Sequence, residues 1–411
     1  MLRAEVSSKR SSPIGRLWHM RSALLRSSTR RASRHHLQHL ATSSAPPNGS
    51  RHLHQLGAPE SRRIFETSES FFTPAHRVTV EVPATTSNLG PGFDCMGLAL
   101  DVRNRLTVEK SDRFSLEVSG EGASGDGDHN LSVMMCHKVF KRLGKPTPPL
   151  RFHFMNAVPL DRGFGSNSTA LLSGLAAGLA LCGRELYTPA TKRLLLELAA
   201  EEELARADNL APAIYGGFQI ALRHDGAWVA QRVATPTGLQ CVLFIPDDVH
   251  MMARPKTRAV LPTELSYGEV VHNLSRAAML VNSFQTGQFD ALRFAMEDKL
   301  HQPHREHLCP TQPIIRAALA AGAHGAFVSG AGPSVVCICG GTTGKKAKDG
   351  KGRDNYETDT MALFLGEAVS EAVLRAAAQH GITGHVHMAT PSAVGLTSSG
   401  HSAAGELLWD E

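Results

Sequence analysis

Long hydrophobic runs are missing from this chain of 411 residues. The longest candidate, residues 169–183, carries three glycines and falls short of the roughly 18–20 apolar residues that a membrane-spanning helix needs. That absence argues against an integral membrane protein. Paired cysteines are missing too. The seven (Cys95, Cys136, Cys182, Cys241, Cys309, Cys337 and Cys339) are odd in number and scattered, and only Cys337 and Cys339 stand close, alternating within an apolar run. No zinc-site spacing and no disulfide framework emerges, so a reducing compartment with mostly buried thiols is expected. Acidic residues are absent between Glu5 and Glu60. Residues 1–70 hold 12 Lys and Arg against 4 Asp and Glu, which leaves 31 against 34 in the rest of the chain. A nucleic-acid-binding body would carry its positive excess in the folded part, where it can neutralise phosphates. Here the excess sits in the tail, and no nucleic-acid partner is expected.

The acid-free stretch is rich in Arg, Ser and His, and Ile14-Gly-Arg-Leu-Trp-His-Met-Arg-Ser-Ala-Leu-Leu-Arg26 suits a short basic amphipathic helix. The pattern matches an organellar transit segment, plastid or mitochondrial. Arginines interrupt every apolar run before it reaches seven residues, which speaks against a secretory signal. A basic extension with no address is the competing reading and would leave the chain cytoplasmic. Either way, residues 1–75 are expected to lie outside the catalytic fold.

From Arg77 the texture changes. Alternating apolar residues predict strands over 78–82, 106–109, 114–118 and 150–154, and helical spacing predicts helices over 129–143, 166–182 and 192–204. Strands over 218–222 and 228–233 close the first part, residues 76–235. After a Pro/Thr/Gly-rich break, residues 236–400 predict a strand (240–245), three helices (268–286, 289–299, 313–321) and two strands (326–329, 335–339). A helix (361–380) and a strand (384–388) follow. Residues 340–359, with Lys345-Lys-Ala-Lys-Asp-Gly-Lys-Gly-Arg-Asp354, read as a polar surface insertion.

The sharpest local signal is Pro159-Leu-Asp-Arg-Gly-Phe-Gly-Ser-Asn-Ser-Thr-Ala170, between a strand and the longest apolar helix. Gly163 and Gly165 allow close backbone approach. Ser166, Asn167, Ser168 and Thr169 then open the helix, where orphan N–H groups and the positive end of the dipole favour an anion. A tight turn with a Ser cap is the competing reading. The stretch is neither a Walker A loop nor a dinucleotide fingerprint, since it lacks Gly-Lys-Ser/Thr and a third glycine. Two further glycine-rich stretches each follow a strand: Ala84-Thr-Thr-Ser-Asn-Leu-Gly-Pro-Gly-Phe-Asp94 and Ser329-Gly-Ala-Gly-Pro-Ser334.

Taken together, the three stretches resemble the motifs of the small-molecule kinase superfamily named for galactokinase, homoserine kinase, mevalonate kinase and phosphomevalonate kinase. Within it, Pro83-Ala-Thr-Thr-Ser-Asn-Leu-Gly-Pro-Gly-Phe-Asp-Cys-Met-Gly-Leu-Ala-Leu100, Ala207-Asp-Asn-Leu-Ala-Pro-Ala-Ile-Tyr-Gly-Gly-Phe218 and Thr257-Arg-Ala-Val-Leu-Pro262 resemble the homoserine kinase family. The resemblance implies an α+β, two-domain kinase fold. Its N-terminal domain would be ribosomal-protein-like and carry the phosphate loop, its C-terminal domain would be ferredoxin-like, and the active site would lie in the cleft between them.

It also implies ATP, Mg²⁺ and L-homoserine as ligands, leaves room for a homodimer, and points to O-phospho-L-homoserine as a product on the way to threonine. The acceptor ammonium would be held by Asn88 and Asp94, its carboxylate by Arg258 and Arg305, and its hydroxyl by Asn209 beside Asp208. Arginine's planar fork suits a carboxylate. An asparagine cannot act as a base, so catalysis would rest on positioning, which phosphoryl transfer tolerates. ATP would lie on Pro159, Arg162, Gly163, Phe164, Gly165, Ser166, Asn167, Ser168 and Thr169, with Asn130 near the base and Gly330 and Gly332 bracing the loop. Mg²⁺ would take Ser166 or Ser168 and one of Glu202 and Glu203. Singly, Asp94 reads as a turn carboxylate, Arg258 and Arg305 as surface charges, and Asn209 as a cap.

Two positions depart from the family pattern: Asn167 stands where a serine is usual and Arg206 where a histidine is usual. They support one rival, a weakened regulatory protein on the same scaffold. The other rival is a superfamily kinase for another small alcohol, against which the presence of both Arg258 and Arg305 speaks. His301, His304 and His307 recur every three residues, and a metal site there competes with a plain helical row.

Overall fold

The computed structural model describes residues 74–122, 130–203, 206–248, 254–341, 347–348, 354–355 and 360–410. The basic extension up to residue 73 and most of the polar insertion lie outside the described residues. The first part runs β1 (Arg77–Ser87), β2 (Met96–Lys110), β3 (Ser115–Gly120), α1 (Leu131–Arg142), β4 (Leu150–Asn156), α2 (Ser166–Leu181), α3 (Pro189–Glu202), α4 (Leu210–Tyr215), β5 (Phe218–His224) and β6 (Ala227–Val233). The second continues with β7 (Leu239–Pro246), α5 (Arg254–Ala259), α6 (Tyr267–Thr286), α7 (Leu292–Ala295), α8 (Gln302–Arg305), α9 (Gln312–Ala320), β8 (Gly325–Val328) and β9 (Val335–Gly340). A short pair, β10 (Ala347–Lys348) and β11 (Asp354–Asn355), precedes α10 (Thr360–Gln379), β12 (Gly384–Ala389), β13 (Thr397–His401) and β14 (Leu407–Asp410).

Eight strands form the first sheet, ordered β14-β13-β1-β2-β4-β3, with β5 branching from β2 and β6 pairing β5. Only β3 and β4 run parallel. The alternation that predicted β1 turns Val78, Val80 and Val82 onto helices α1 to α4, where they join Leu106, Val108, Phe152 and Phe154. Between Pro83 and Thr85 the β1–β2 register shifts, from Pro83↔Arg103 to Thr85↔Ala99, so β2 bulges by two residues. Beyond the bulge Ala84, Leu98 and Leu100 enter a second core that includes Phe164, Phe218, Phe284 and Phe327. The polar Thr85, Thr86 and Ser87 thereby come to the end of the sheet, and β1 extends five residues past its predicted end.

The second sheet has the order β12-β7-β9-β8 with every pair antiparallel. Its β-α-β-β-α-β chain order, with α9 and α10 over one face, is the ferredoxin-like arrangement. The continuous apolar run of β7 follows from burial on both faces: Cys241, Leu243 and Ile245 face the first part, Val242 and Phe244 the helices. The helix predicted over 289–299 ends early, as one 3-10 turn (Phe289–Ala291) plus the four residues of α7. Asp298 breaks it, its carboxylate accepting the backbone N–H of Leu300, His301 and Gln302. The C-terminal part expected over 236–400 does not keep its last strand: β13 pairs with β1 and closes the edge of the first sheet. No helix among the described residues is long and apolar enough to cross a membrane.

Candidate active site

Helix α2 begins differently from its neighbours. Asn130 caps α1, Thr188 caps α3, and a Ser266/Glu269 capping box starts α6, whereas the cap of α2 is Gly165, left-handed at φ 71° and without a side-chain acceptor. Thr169 N–H donates to Gly165 O (2.8 Å), so the intrahelical ladder starts there and the first turn, Ser166 to Ser168, forms the positive end of the helix. A Cβ on Gly165 would lie 2.2 Å from Thr85 Oγ1 and 3.2 Å from Asn209 Oδ1, so the loop is pressed against the end of β1. The third glycine stretch braces it: Ser329 Oγ donates to Gly163 O (2.8 Å) and accepts from Thr86 Oγ1 (2.8 Å). Gly330 N–H donates to Ser87 O (3.1 Å), and Gly332 N–H closes the turn on Ser329 O (2.7 Å).

Asn209 lies on the same rim. Thr85 Oγ1 donates to its Oδ1 (2.8 Å), and its Nδ2 donates to Ser87 Oγ (3.1 Å). Thr85 and Ser87, two apart on one strand, present the same face and so fix the amide plane. Asp208 beside it is buried and hydrogen-bonded to Ser87; burial, helped by the charge of Asp94, pushes its carboxyl above the ordinary range.

The loop 88–94 carries the remaining groups. Asn88 Oδ1 accepts from Asp94 N–H (2.9 Å) and its Nδ2 donates to Gly330 O (2.8 Å), joining the first and third glycine stretches. Both Nη atoms of Arg258 donate to the Asp94 carboxylate, which holds the guanidinium firmly protonated. Arg258 and Arg305 stack over the Phe93 ring at 5.3 and 5.6 Å. Arg206 stands between two carboxylates, with Nη1 4.0 Å from Asp94 and Nη2 3.8 Å from Glu203. Glu203 in turn accepts from Ser168 Oγ at 2.9 Å.

Of the residues read from sequence, the structure gathers Asn88, Asp94, Asp208, Asn209, Arg258, Arg305, Glu203, Gly330, Gly332, Gly163, Gly165, Ser166, Asn167 and Ser168 into one neighbourhood. Others turn elsewhere. Glu202 pairs with Lys138 on the surface, so of the two only Glu203 meets the start of α2. Arg162 places its guanidinium on the carbonyls of Leu160, Pro246 and Asp247, tying the loop to β7. Thr169 is buried, bonding Ser166 O and Asn104, and Phe164 is core. Asn130 Oδ1 is taken by its own helix, at Ser132 N–H (3.0 Å). Pro159 is half-buried beside the loop. The structure adds Thr85, Ser87, Phe93, Arg206, His301 and Ser329. A hydroxyl at every position from 85 to 87, where a strand should be apolar, is the signal that could have found the first two. No group of three His, Cys, Asp or Glu suited to a metal occurs among the described residues, so His301, His304 and His307 do not form one.

The descriptions "GHMP kinases N terminal domain" and "GHMP kinases C terminal" match residues 130–217 and 280–353. The fold is that of this kinase class. The homoserine kinase of Thermosynechococcus vestitus is 40% identical over 263 residues, 63% of this chain and 85% of that protein. That of Desulfitobacterium hafniense is 31% identical over 315 residues, 76% and 96% of the two. The crystal structure of homoserine kinase from Cytophaga hutchinsonii has the same fold, with TM-score 0.64 and 23% identity over 80% of this chain and 99% of that one. The phosphomevalonate kinase of Streptococcus pneumoniae gives a TM-score of 0.52 at 12% identity, covering 76% and 99%. The chain belongs to the homoserine kinase family.

Proposed function

We propose that the chain transfers the γ-phosphoryl group of ATP to the side-chain hydroxyl of L-homoserine, giving O-phospho-L-homoserine for threonine synthesis. The observation that carries this reading is the Asp94–Arg258 pair with Arg305 beside it. A zwitterionic amino acid matches both halves, its ammonium on Asp94 and its carboxylate on Arg258 and Arg305. Asn88 contributes by shaping the loop that aims Asp94. Asn209, with its amide plane fixed by Thr85 and Ser87, orients the hydroxyl. The N–H groups of Ser166, Asn167 and Ser168 receive the phosphates of ATP. Ser168 Oγ and Glu203, 2.9 Å apart, form a hard oxygen pair of the kind Mg²⁺ takes alongside phosphate and water. The metal would neutralise charge on the phosphates.

The test is ADP release with ATP, Mg²⁺ and L-homoserine, set against mevalonate and against no acceptor. Release that depends on L-homoserine supports the reading. Release with mevalonate alone moves the chain to another superfamily acceptor, and none with any acceptor favours the regulatory rival that Asn167 and Arg206 suggest.

A further inference from the structure

His301 is fully buried, 0% exposed, and both of its ring nitrogens have partners in the acceptor end of the cleft. Nε2 lies 2.8 Å from Gly90 O, and a carbonyl only accepts, so Nε2 carries the proton. Nδ1 lies 3.0 Å from Arg305 Nη1, and a guanidinium only donates, so Nδ1 is the acceptor. The tautomer is fixed from both sides, and the imidazole is neutral. Its ring stacks on Phe93 at 5.2 Å, and Asp298 holds its backbone in place. One side chain thus links the loop 88–94 to helix α8.

Arg305 gains its orientation from this link. Its Nε donates to Thr257 O (3.0 Å) and its Nη1 to His301 and to Gly330 O (3.3 Å). Every direct partner is neutral. Nη2 has no acceptor among the described residues, so one edge of a buried cation is left for an anion. We propose that His301 is a positioning residue that sets the acceptor specificity of the cleft, holding Arg305 so that its Nη2 edge receives the carboxylate of the acceptor. The proposal rests on the functional reading above and assigns to a neutral histidine the preference for acceptors that carry a carboxylate.

The test compares two variants of the full chain on two acceptors, L-homoserine and 3-aminopropan-1-ol, the same skeleton without the carboxylate. His301→Asn keeps an acceptor near the Nδ1 position and should keep the preference for L-homoserine within about three-fold. His301→Gln keeps a donor toward Gly90 but offers Arg305 nothing; it should raise the L-homoserine KM about ten-fold or more and leave kcat/KM for the amino alcohol and the Kd for ATP within two-fold. The amino alcohol serves as the control for folding in both variants. Equal losses on both acceptors, or an unchanged preference in His301→Gln, would overturn the positioning role alone. Wild-type protein inactive on L-homoserine would overturn the functional reading, and this proposal with it.

Discussion

Asp94 and Arg258, 164 residues apart, satisfy each other across the cleft, both guanidinium Nη atoms meeting the two carboxylate oxygens. They are also the two groups best suited to opposite ends of a zwitterion. On the proposed reading the acceptor would exchange this one ion pair for two, its ammonium taking Asp94 and its carboxylate Arg258.

Removing one partner exposes that exchange. Arg258→Ala should weaken acceptor recognition by roughly 2–4 kcal/mol, since a charged partner is left uncompensated. Initial rates should show the loss in the L-homoserine KM, with ATP affinity nearly intact. Equal losses for both substrates would make Arg258 part of the scaffold.

Glu202 and Glu203 separate in the same way. Glu203→Gln should lower Mg²⁺-supported turnover by about 10²-fold, the scale of a misplaced reacting group. Glu202→Gln removes only a surface pair with Lys138 and should change stability by less than about 1 kcal/mol and rate hardly at all. Rates measured across a Mg²⁺ titration would reject the assignment if the sensitivities were reversed.

The frame of this site is legible in sequence because each glycine stretch is local and flanked by strong strand or helix patterns. What hides is long-range. His301 meets Gly90 across 211 residues, and its three-residue spacing to His304 and His307 advertises only a helical row. Glu202 and Glu203 differ by one step of rotation at a helix end, which no spacing rule resolves. Thr397-Ser-Ser-Gly-His401 has no apolar alternation, yet it becomes β13 because the edge of β1 offers unpaired backbone groups.

At Gly165 an added methyl group has nowhere to go. The position has φ +71°, and a Cβ would overlap Thr85 Oγ1, the partner that holds Asn209. Gly165→Ala should cost about 1–2 kcal/mol in backbone strain and about 10²-fold in kcat as Asn209 shifts. Denaturant midpoints and turnover on the same preparation separate the two. Unchanged kcat would mean that the Asn209 amide does not orient the hydroxyl.

Burial keeps the His301 imidazole neutral in the fold, below its ordinary pKa, with Arg305 opposing its protonation and Asp298 and Asp94 favouring it. The unfolded chain protonates this histidine near pH 6.5, so below that pH the unfolded state binds more protons and stability falls with falling pH. Asp298, whose carboxyl is held below its usual range against its burial by donors from Gln302 N–H, the Asn273 amide and His301 N–H, acts in the same direction further down. Unfolding free energy measured from pH 7 to pH 4.5 should decline, and His301→Asn should flatten the upper part of that decline. A decline identical in the variant would assign the acid sensitivity to other groups.

Asn167 stands where the family pattern usually has a serine. On a helix, successive side chains are about 100° apart, so residues 167 and 168 cannot both face Glu203. Ser168 does, through its 2.9 Å hydrogen bond. On the proposed metal assignment the hydroxyl beside Glu203 is supplied one position later, and Asn167→Ser should change kcat by no more than about three-fold. Ser168→Ala should lower kcat by about 10- to 10²-fold, because the remaining ligands lose their alignment. In both variants the phosphates still meet backbone N–H groups, whose number does not depend on the side chain, so the ATP Kd should stay within a few-fold. A large gain in Asn167→Ser would mean that the asparagine leaves the metal poorly held and Ser168 does not compensate. Collapse of activity in that variant would give Asn167 a role of its own and would remove the basis for carrying the family's metal geometry onto this chain.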